Sequence, residues 1–402
     1  MELFAPLMRS LSQLDYTAPT PVQALTIPPA MEGRDILASA ETGTGKTAAF
    51  ALPILDYLGH QRPPLSPRCT STLVLAPTRE LAIQIARSFQ TYGRFVKFRL
   101  ALVHGGVARE PQVKALKQGV DVLVATPGRL LDLMEQRDLK LDRVQILVLD
   151  EADRMMDMGF LPDLRRIIAR LPEQRQSLFF SATLPAPILE LSGRLLDRPL
   201  KVNVSPREAD VGRISQQIQM VRKEEKFSTL CSLVMEQAVE RTIVFSRTKR
   251  GANRIARKLE QAGIRTMAIH GNKSQNARQK ALESFRKNRV AVLVATDVAA
   301  RGIDIAGVSH VINYDMPHDP ESYIHRIGRT GRAGAAGIAI SLCTPEERGE
   351  LRAIERLVGR KISVAPGRTG HRSHRGTNSL GRPGGRRPKR SRAPGRHRKI
   401  AS

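Results

Sequence analysis

Asp35-Ile36-Leu37-Ala38-Ser39-Ala40-Glu41-Thr42-Gly43-Thr44-Gly45-Lys46-Thr47 is followed by an apolar, helix-like segment from Ala48 to Leu58. The order is strand, glycine-rich turn, helix, which is the context a phosphate-cradling loop requires. Gly43 and Gly45 tolerate positive φ and let the backbone approach an anion closely. N–H groups at the start of the following helix point at such an anion, and the helix dipole adds favourable potential. Lys46 supplies a positive charge for β- and γ-phosphates, and the Thr47 hydroxyl is placed to ligate Mg²⁺. The first position of the G-x-x-x-x-G-K-[ST] pattern is Ala40 rather than Gly. A glycine-rich turn that only caps a helix is the plainer alternative, and the flanking strand and helix weigh against it.

Outward from this loop, strand-like and helix-like segments alternate. Ser71–Ala76, Arg99–Val103, Asp121–Ala125, Gln145–Leu149 and Ser177–Phe180 read as strands, and Arg79–Tyr92, Gly128–Glu135 and Leu161–Arg170 as helices. Ile146-Leu147-Val148-Leu149 is continuously apolar, as strands buried on both faces of a parallel sheet are. After a polar break with Pro206 and Gly212 the alternation resumes from Gln217 to Leu342. The expected domains are residues 1–206 and 214–360, joined by a linker at 207–213 and followed by a basic tail at 361–402. An internal echo supports two copies of one α/β unit. Ala101-Leu102-Val103-His104-Gly105-Gly106 precedes Val122-Leu123-Val124-Ala125-Thr126; Met267-Ala268-Ile269-His270-Gly271 precedes Val292-Leu293-Val294-Ala295-Thr296. The second copy has no phosphate loop.

The 402 residues carry a net charge of +27. From Arg360 onward there are 14 Lys and Arg and no acid, which leaves +13 on the rest. Both parts are basic, so a polyanionic partner is expected besides the nucleotide. The tail is Arg, Gly, Pro and Ser with few apolar residues, and is expected to be disordered. Cys69, Cys231 and Cys343 form no metal-ligand spacing and suit a reducing compartment. With no apolar run long enough to span a bilayer and no signal segment, a cytoplasmic location without membrane contact is expected.

Asp150-Glu151-Ala152-Asp153 ends the strand Gln145–Leu149. Beside a phosphate loop, one carboxylate there can hold Mg²⁺ through water and its neighbour can orient or deprotonate an attacking water. An acidic first turn that stabilises the next helix is the alternative. His325, Arg326, Arg329 and Arg332 lie in one short segment of the second half, where arginines can act as fingers toward a γ-phosphate in the first.

Ala40-x-Thr-Gly-x-Gly-Lys-Thr with Asp-Glu-Ala-Asp resembles the DEAD-box ATP-dependent RNA helicases. Pro77-Thr78-Arg79-Glu80-Leu81, Gly105-Gly106, Thr126-Pro127-Gly128-Arg129, Ser181-Ala182-Thr183, Ile243-Val244-Phe245-Ser246, Ala295-Thr296-Asp297 through Asp304, and His325 through Arg332 follow in family order. His270-Gly271-Asn272-Lys273-Ser274-Gln275-x-x-Arg278 resembles the RhlE-type bacterial branch. The resemblance implies two RecA-like domains with ATP, Mg²⁺ and RNA at their cleft. It assigns ATP contacts to Tyr16, Gln23, Ala40, Thr42, Gly43, Thr44, Gly45, Lys46, Thr47 and Asp304. Gln23 is the adenine-reading residue in this scheme, although Asp15 stands in place of the family's glycine and the upstream aromatic would precede Met1. Lys46, Asp150, Glu151, His325, Arg326, Arg329 and Arg332 form the implied catalytic group. Pro77, Arg79, Gly105, Gly106, Thr126, Arg129, Arg247, Gly271, Thr296 and Arg301 form the implied RNA contacts, directed at phosphate and sugar and so independent of sequence. Asp153, Ser181 and Thr183 are the implied coupling between the two sites. The expected function is ATP-dependent local unwinding of RNA by a monomer in a ribonucleoprotein or ribosome-assembly context. An ATP-gated clamp or annealing chaperone, or a non-enzymatic RNA-binding scaffold, is the alternative.

Overall fold

The apolar run Ile146-Leu147-Val148-Leu149 becomes a strand at the middle of a seven-stranded sheet, and none of its side chains is more than 7% exposed. Burying each such side chain on folding contributes roughly 1.5–3 kcal/mol. The computed structural model describes residues 3–40, 43–204, 214–236, 241–297, 307–331 and 336–365. Within the first half the strands are β1 (Ile36–Ala40), β2 (Thr70–Leu75), β3 (Leu100–Val103), β4 (Val120–Ala125), β5 (Ile146–Leu149), β6 (Gln176–Ser181) and β7 (Leu200–Val204). Their order is β3-β4-β2-β5-β6-β1-β7, and the pairs are parallel. Side chains alternate between two apolar layers. Ile36, Ala38 and Val148 pack on one face with the helices Lys46–Gln61 and Arg79–Tyr92. Leu37, Leu147 and Leu149 pack on the other with Pro127–Glu135, Leu161–Ile168 and Ala186–Leu195.

The second half repeats the plan. Its strands are β8 (Ile214–Met220), β9 (Thr242–Phe245), β10 (Thr266–Ile269), β11 (Val292–Ala295), β12 (His310–Asn313), β13 (Gly337–Cys343) and β14 (Ser363–Val364), in the order β10-β11-β9-β12-β13-β8-β14. Position by position, β10 matches β3, β11 matches β4 and β8 matches β1. The echo in the sequence therefore marks equivalent strands: His104 and His270 follow β3 and β10, and Thr126 and Thr296 follow β4 and β11. The fold is the expected pair of parallel α/β sheets.

One boundary is corrected. The chain stays in the fold past residue 360, because Ile362 is 5% exposed within the core and Ser363 and Val364 pair with Gln217 and Ile218 of β8. The buried Ile362 holds the edge strand together with hydrogen bonds from Ala365 N to Ile218 O at 2.8 Å and from Ile362 N to Glu355 Oε1 at 3.0 Å. The strand β7, the helix Ala186–Leu195 and the helix Arg348–Val358 were not apparent in the sequence. The expected linker 207–213, the tail from 366 onward, and Thr42, Arg301, Asp304 and Arg332 lie outside the described residues. Among the described residues no helix is long and apolar enough to cross a membrane.

Candidate active site

Because all strands run the same way, the loops that follow β1, β5 and β6 gather at one edge. The loop after β1 ends at Gly45, in the left-handed region at φ +94°, as the N-cap of the helix Lys46–Gln61. A Cβ at Gly45 would run into the Gln23 amide and come within 3.0 Å of Thr20 Oγ1, so both space and φ require glycine. Gln23 is buried; its Nε2 donates to Gly45 O at 3.2 Å and its Oε1 accepts from Thr20 N at 2.9 Å. Both ends of the amide expected to read adenine are thus engaged in holding the phosphate loop against the start of the helix Pro21–Met31. Asp15, where the family has glycine, takes the glycine-like conformation at φ +54°, which Asp tolerates better than most residues. It turns Tyr16 toward Tyr92, with hydroxyls 2.9 Å apart and rings edge to face at 6.0 Å.

A cavity of about 210 Å³ opens beside this loop. Its lining includes Tyr16, Lys46, Thr47, Asp150, Glu151 and Arg329. Lys46 Nζ is buried and has no hydrogen-bond partner among the described residues, an orphaned cation that fits a phosphate. Burial pushes the Asp150 carboxyl up to about 6 even though Lys46 pulls it down. Burial would also raise Glu151, but the charges of Arg154 and then Lys46 outweigh it and hold Glu151 below the usual carboxylate range. Arg154 Nη1 donates to Glu151 Oε2 at 2.8 Å, with both side chains 6% exposed. Glu151 sits at φ +52°, a strained conformation for a residue with a Cβ. The adjacent carboxyls are therefore set apart by environment: Glu151 is ionised, whereas Asp150 holds its proton up to about pH 6.

Asp153 faces away from the cavity. Its Oδ2 accepts from Ala182 N, Thr183 N and Thr183 Oγ1 at 3.1, 2.9 and 3.0 Å, and its N–H donates to Ser181 Oγ at 3.2 Å. The three residues expected to couple the sites are in direct contact.

From the second half, only Arg329 of the described cationic segment lines the cavity. Its Nε donates to His325 O at 3.1 Å and its charge contributes to holding Glu151 ionised. Arg326, expected in the catalytic group, is a correction. It is 1% exposed, and its guanidinium donates to both Asp297 carboxylate oxygens at 2.6 and 2.8 Å, to Asn313 Oδ1 and to Asp315 O, beneath the Phe245 ring. Its donors are taken up in fixing the turn that carries Arg329, so it acts as a brace rather than a phosphate ligand.

Residues 20–191 match the family described as DEAD/DEAH box helicase, and residues 225–334 match the helicase conserved C-terminal domain. The DEAD-box ATP-dependent RNA helicase CshA of Bacillus subtilis is 43% identical over 360 residues, spanning 90% of this chain and 72% of that protein. This chain belongs to the DEAD-box helicases. CshA of Geobacillus kaustophilus is also 43% identical, over 88% of this chain and 75% of its own length. Saccharomyces cerevisiae Dbp5 bound to RNA and ADP BeF3 superposes with a TM-score of 0.81 at 33% identity, covering 90% of this chain and 94% of that one. Mss116 bound to ssRNA and UDP-BeF gives 0.82 at 27% identity, covering 90% and 78%.

The DEAD-box chain has a second group at the same edge of both sheets. Arg79 lies over Gly105 and Gly106; a Cβ at Gly106, where φ is +78°, would collide with the guanidinium. Burial, then the charges of Arg278 and Arg129, lower Arg79 against the opposing pull of Glu80. Pro77, Thr126 and Thr296 close the ends of β2, β4 and β11, and both threonines are buried. Glu80 also joins the halves: its Oε1 accepts from Gln275 Nε2 at 2.9 Å and pairs with Arg278 at 3.1 Å.

In the second half a buried network occupies the place equivalent to the phosphate loop. Lys226 begins the helix after β8, as Lys46 does after β1, and is 4% exposed. Its Nζ donates to Glu347 Oε2 at 2.7 Å and to Tyr314 O at 2.8 Å, with Asp315 Oδ1 at 3.7 Å. Glu347 Oε1 accepts from Arg247 Nη2 at 3.0 Å, and Asp315 Oδ2 from Arg247 N at 2.9 Å. Arg154, Tyr92, Lys226, Glu347 and Asp315 were missed in the sequence; only the i,i+3 spacing of Glu151 and Arg154 gives a local signal.

Proposed function

We propose that this DEAD-box chain is an ATP-dependent RNA helicase that separates short RNA duplexes, or remodels RNA–protein complexes, by closing and reopening its two halves around ATP. The observation that carries this reading is Arg329 of the second half lining the same cavity as Lys46, Thr47, Asp150 and Glu151 of the first. Lys46 and the N–H groups at the helix start bind the phosphates. Glu151, kept ionised by Arg154, accepts the proton of the attacking water. Arg329 reaches the γ-phosphate only when the halves are together, so hydrolysis is tied to closure.

Asp150 and Thr47 fit Mg²⁺. Both line the cavity, and the Asp150 carboxyl is raised by burial and then by the neighbouring Glu151 charge, an environment a cation would relieve. Among the described residues no cluster of three or more His, Cys, Asp or Glu competes for a metal. Two protein donors suit an ion that keeps waters and phosphate oxygens. When bound, Mg²⁺ neutralises developing charge on the phosphates.

RNA lies across the strand-end loops, against Arg79, Arg129, Arg247 and, outside the described residues, Arg301. Gly105, Gly106 and Gly271 leave room for its backbone, and the contacts go to phosphate and sugar. Asp153, Ser181 and Thr183 relay between this surface and the carboxylates. We place the first domain at residues 1–206 and the second from 214, and read the protein as a cytoplasmic monomer acting in ribonucleoprotein or ribosome assembly. The RhlE-type branch rests on the stretch His270–Arg278. A strand-displacement assay on a short RNA duplex tests the function. Displacement together with RNA-stimulated phosphate release is expected with ATP and not with a non-hydrolysable analogue; RNA-stimulated phosphate release with no strand displacement would favour a clamp or annealing chaperone without productive unwinding.

A further inference from the structure

The helix Lys249–Gln261 breaks two local rules. Its buried face, Ala252, Ile255, Ala256 and Leu259, packs into the second-half core. Arg250, Arg254, Arg257 and Lys258 are exposed, and their i, i+4, i+7, i+8 spacing stacks them in one stripe on the opposite face. Like charges at such spacing destabilise a helix by about 0.2–0.5 kcal/mol per pair. The first turn carries Lys249 and Arg250 and no acid, where the helix dipole disfavours cations. Among the described residues no ion pair relieves any of the four; Lys258 rests on the Phe227 ring at 4.9 Å. Topology does not demand this. The equivalent helix of the first half, Arg79–Tyr92, follows a threonine N-cap of the same kind and has Glu80 in its first turn.

The stripe is continuous with the strand-end loops. It begins three residues after Arg247, and Lys249 Cε lies 3.6 Å from where a Cβ on Gly271 would be. Arg257 and Lys273, with Glu260 as the one carboxylate among the lining residues, line one shallow groove of about 260 Å³ against the next helix, Gln275–Arg286. His270, next to Gly271 in the chain, is held under its ordinary value by burial first and then by the charges of Lys273, Lys249 and Arg278.

We propose that the outer face of the helix Lys249–Gln261 is a second RNA surface, which takes the phosphate backbone of the single strand as it continues past Arg247 and Gly271. This rests on the RNA reading above. The stripe spans about 12 Å at 1.5 Å per residue and offers charge without aromatic rings, so it holds backbone and reads no base.

The test is the Arg254→Gln/Arg257→Gln double variant of the full chain. Glutamine keeps helix propensity and removes a like-charge pair, so the melting temperature should hold or rise. RNA-stimulated ATPase is titrated with three probes: an oligouridine of the shortest stimulating length, that strand with unpaired uridines added at one end or the other, and that strand joined to a hairpin. In the native protein an unpaired extension at one end only should tighten half-stimulation. The double variant should lose that gain, about fivefold or more, and flatten the log–log salt slope by about 1.4, at 0.7 for each phosphate contact on a single strand. The shortest strand should stimulate both proteins alike. Equal weakening for short and extended strands, an unchanged slope, or a gain confined to the hairpin probe would overturn the proposal. Failure of the shortest strand to stimulate the native protein would instead count against the RNA reading of the cleft.

Discussion

At the scale of single residues, Asp150 and Glu151 are neighbours in sequence and opposites in environment. Glu151→Gln keeps the shape and removes the proton acceptor. Turnover should fall by about 10²–10⁴-fold while nucleotide still binds, as measured by single-turnover hydrolysis beside equilibrium binding of ATP; turnover near the native rate would remove Glu151 from the role of base. Asp150 gives a pH prediction of definite sign. Its folded value of about 6 lies above the ordinary 3.8. Below 3.8 the carboxyl is protonated in folded and unfolded chains alike and has no effect. Between the two values only the unfolded chain ionises, so a cost of keeping this group buried grows with pH and levels off above 6. Asp150→Asn should therefore leave the melting temperature of the nucleotide-free protein nearly unchanged below pH 3.8 and raise it increasingly toward pH 6 and above. A difference that shrinks as pH rises would contradict the burial argument.

At the scale of elements, the Lys226–Glu347 pair fastens the helix Lys226–Glu236 to the turn after β13 and holds Arg247 in place. Removing one partner of a buried ion pair costs about 3–5 kcal/mol, because the other charge is left stranded. Lys226→Met should lower the urea midpoint and weaken half-stimulation by RNA through Arg247, with ATP affinity nearly unchanged; an unaltered midpoint would mean that water reaches the pair. The contact explains where reading the sequence stopped. The phosphate loop, Asp150-Glu151 and the helices Arg79–Tyr92 and Lys249–Gln261 are written in contiguous residues, as periodicity, glycine spacing and threonine caps. Lys226 and Glu347 are 121 residues apart, and Arg154 and Arg326 resemble any solvated arginine until their partners are in view. Position within the motif put Arg326 in the catalytic group, whereas the partners around it make it a brace. The edge strand β14 was hidden for a related reason: one buried isoleucine ahead of a two-residue strand is too short to show a period.

For the whole molecule, the decisive arrangement is one cavity lined from two sheets. Arg329→Ala should lower RNA-stimulated turnover by about 10³–10⁵-fold, the range for a cation aimed at a transferring phosphoryl group, and change ATP affinity far less. Stopped-flow nucleotide binding beside steady-state turnover separates the two effects; an equal loss in both would place Arg329 in ground-state binding alone. The closed-off counterpart in the second half has a consequence for stoichiometry. A duplicated nucleotide-binding chassis would ordinarily take two nucleotides and could fire twice. Here the second socket is filled by a carboxylate the chain carries itself, so its lysine is already answered and titration with ATP should saturate at one equivalent. With a single fuel molecule shared by two bodies, hydrolysis and RNA release should keep a one-to-one count in a single-turnover experiment, and two nucleotides consumed per release would contradict it.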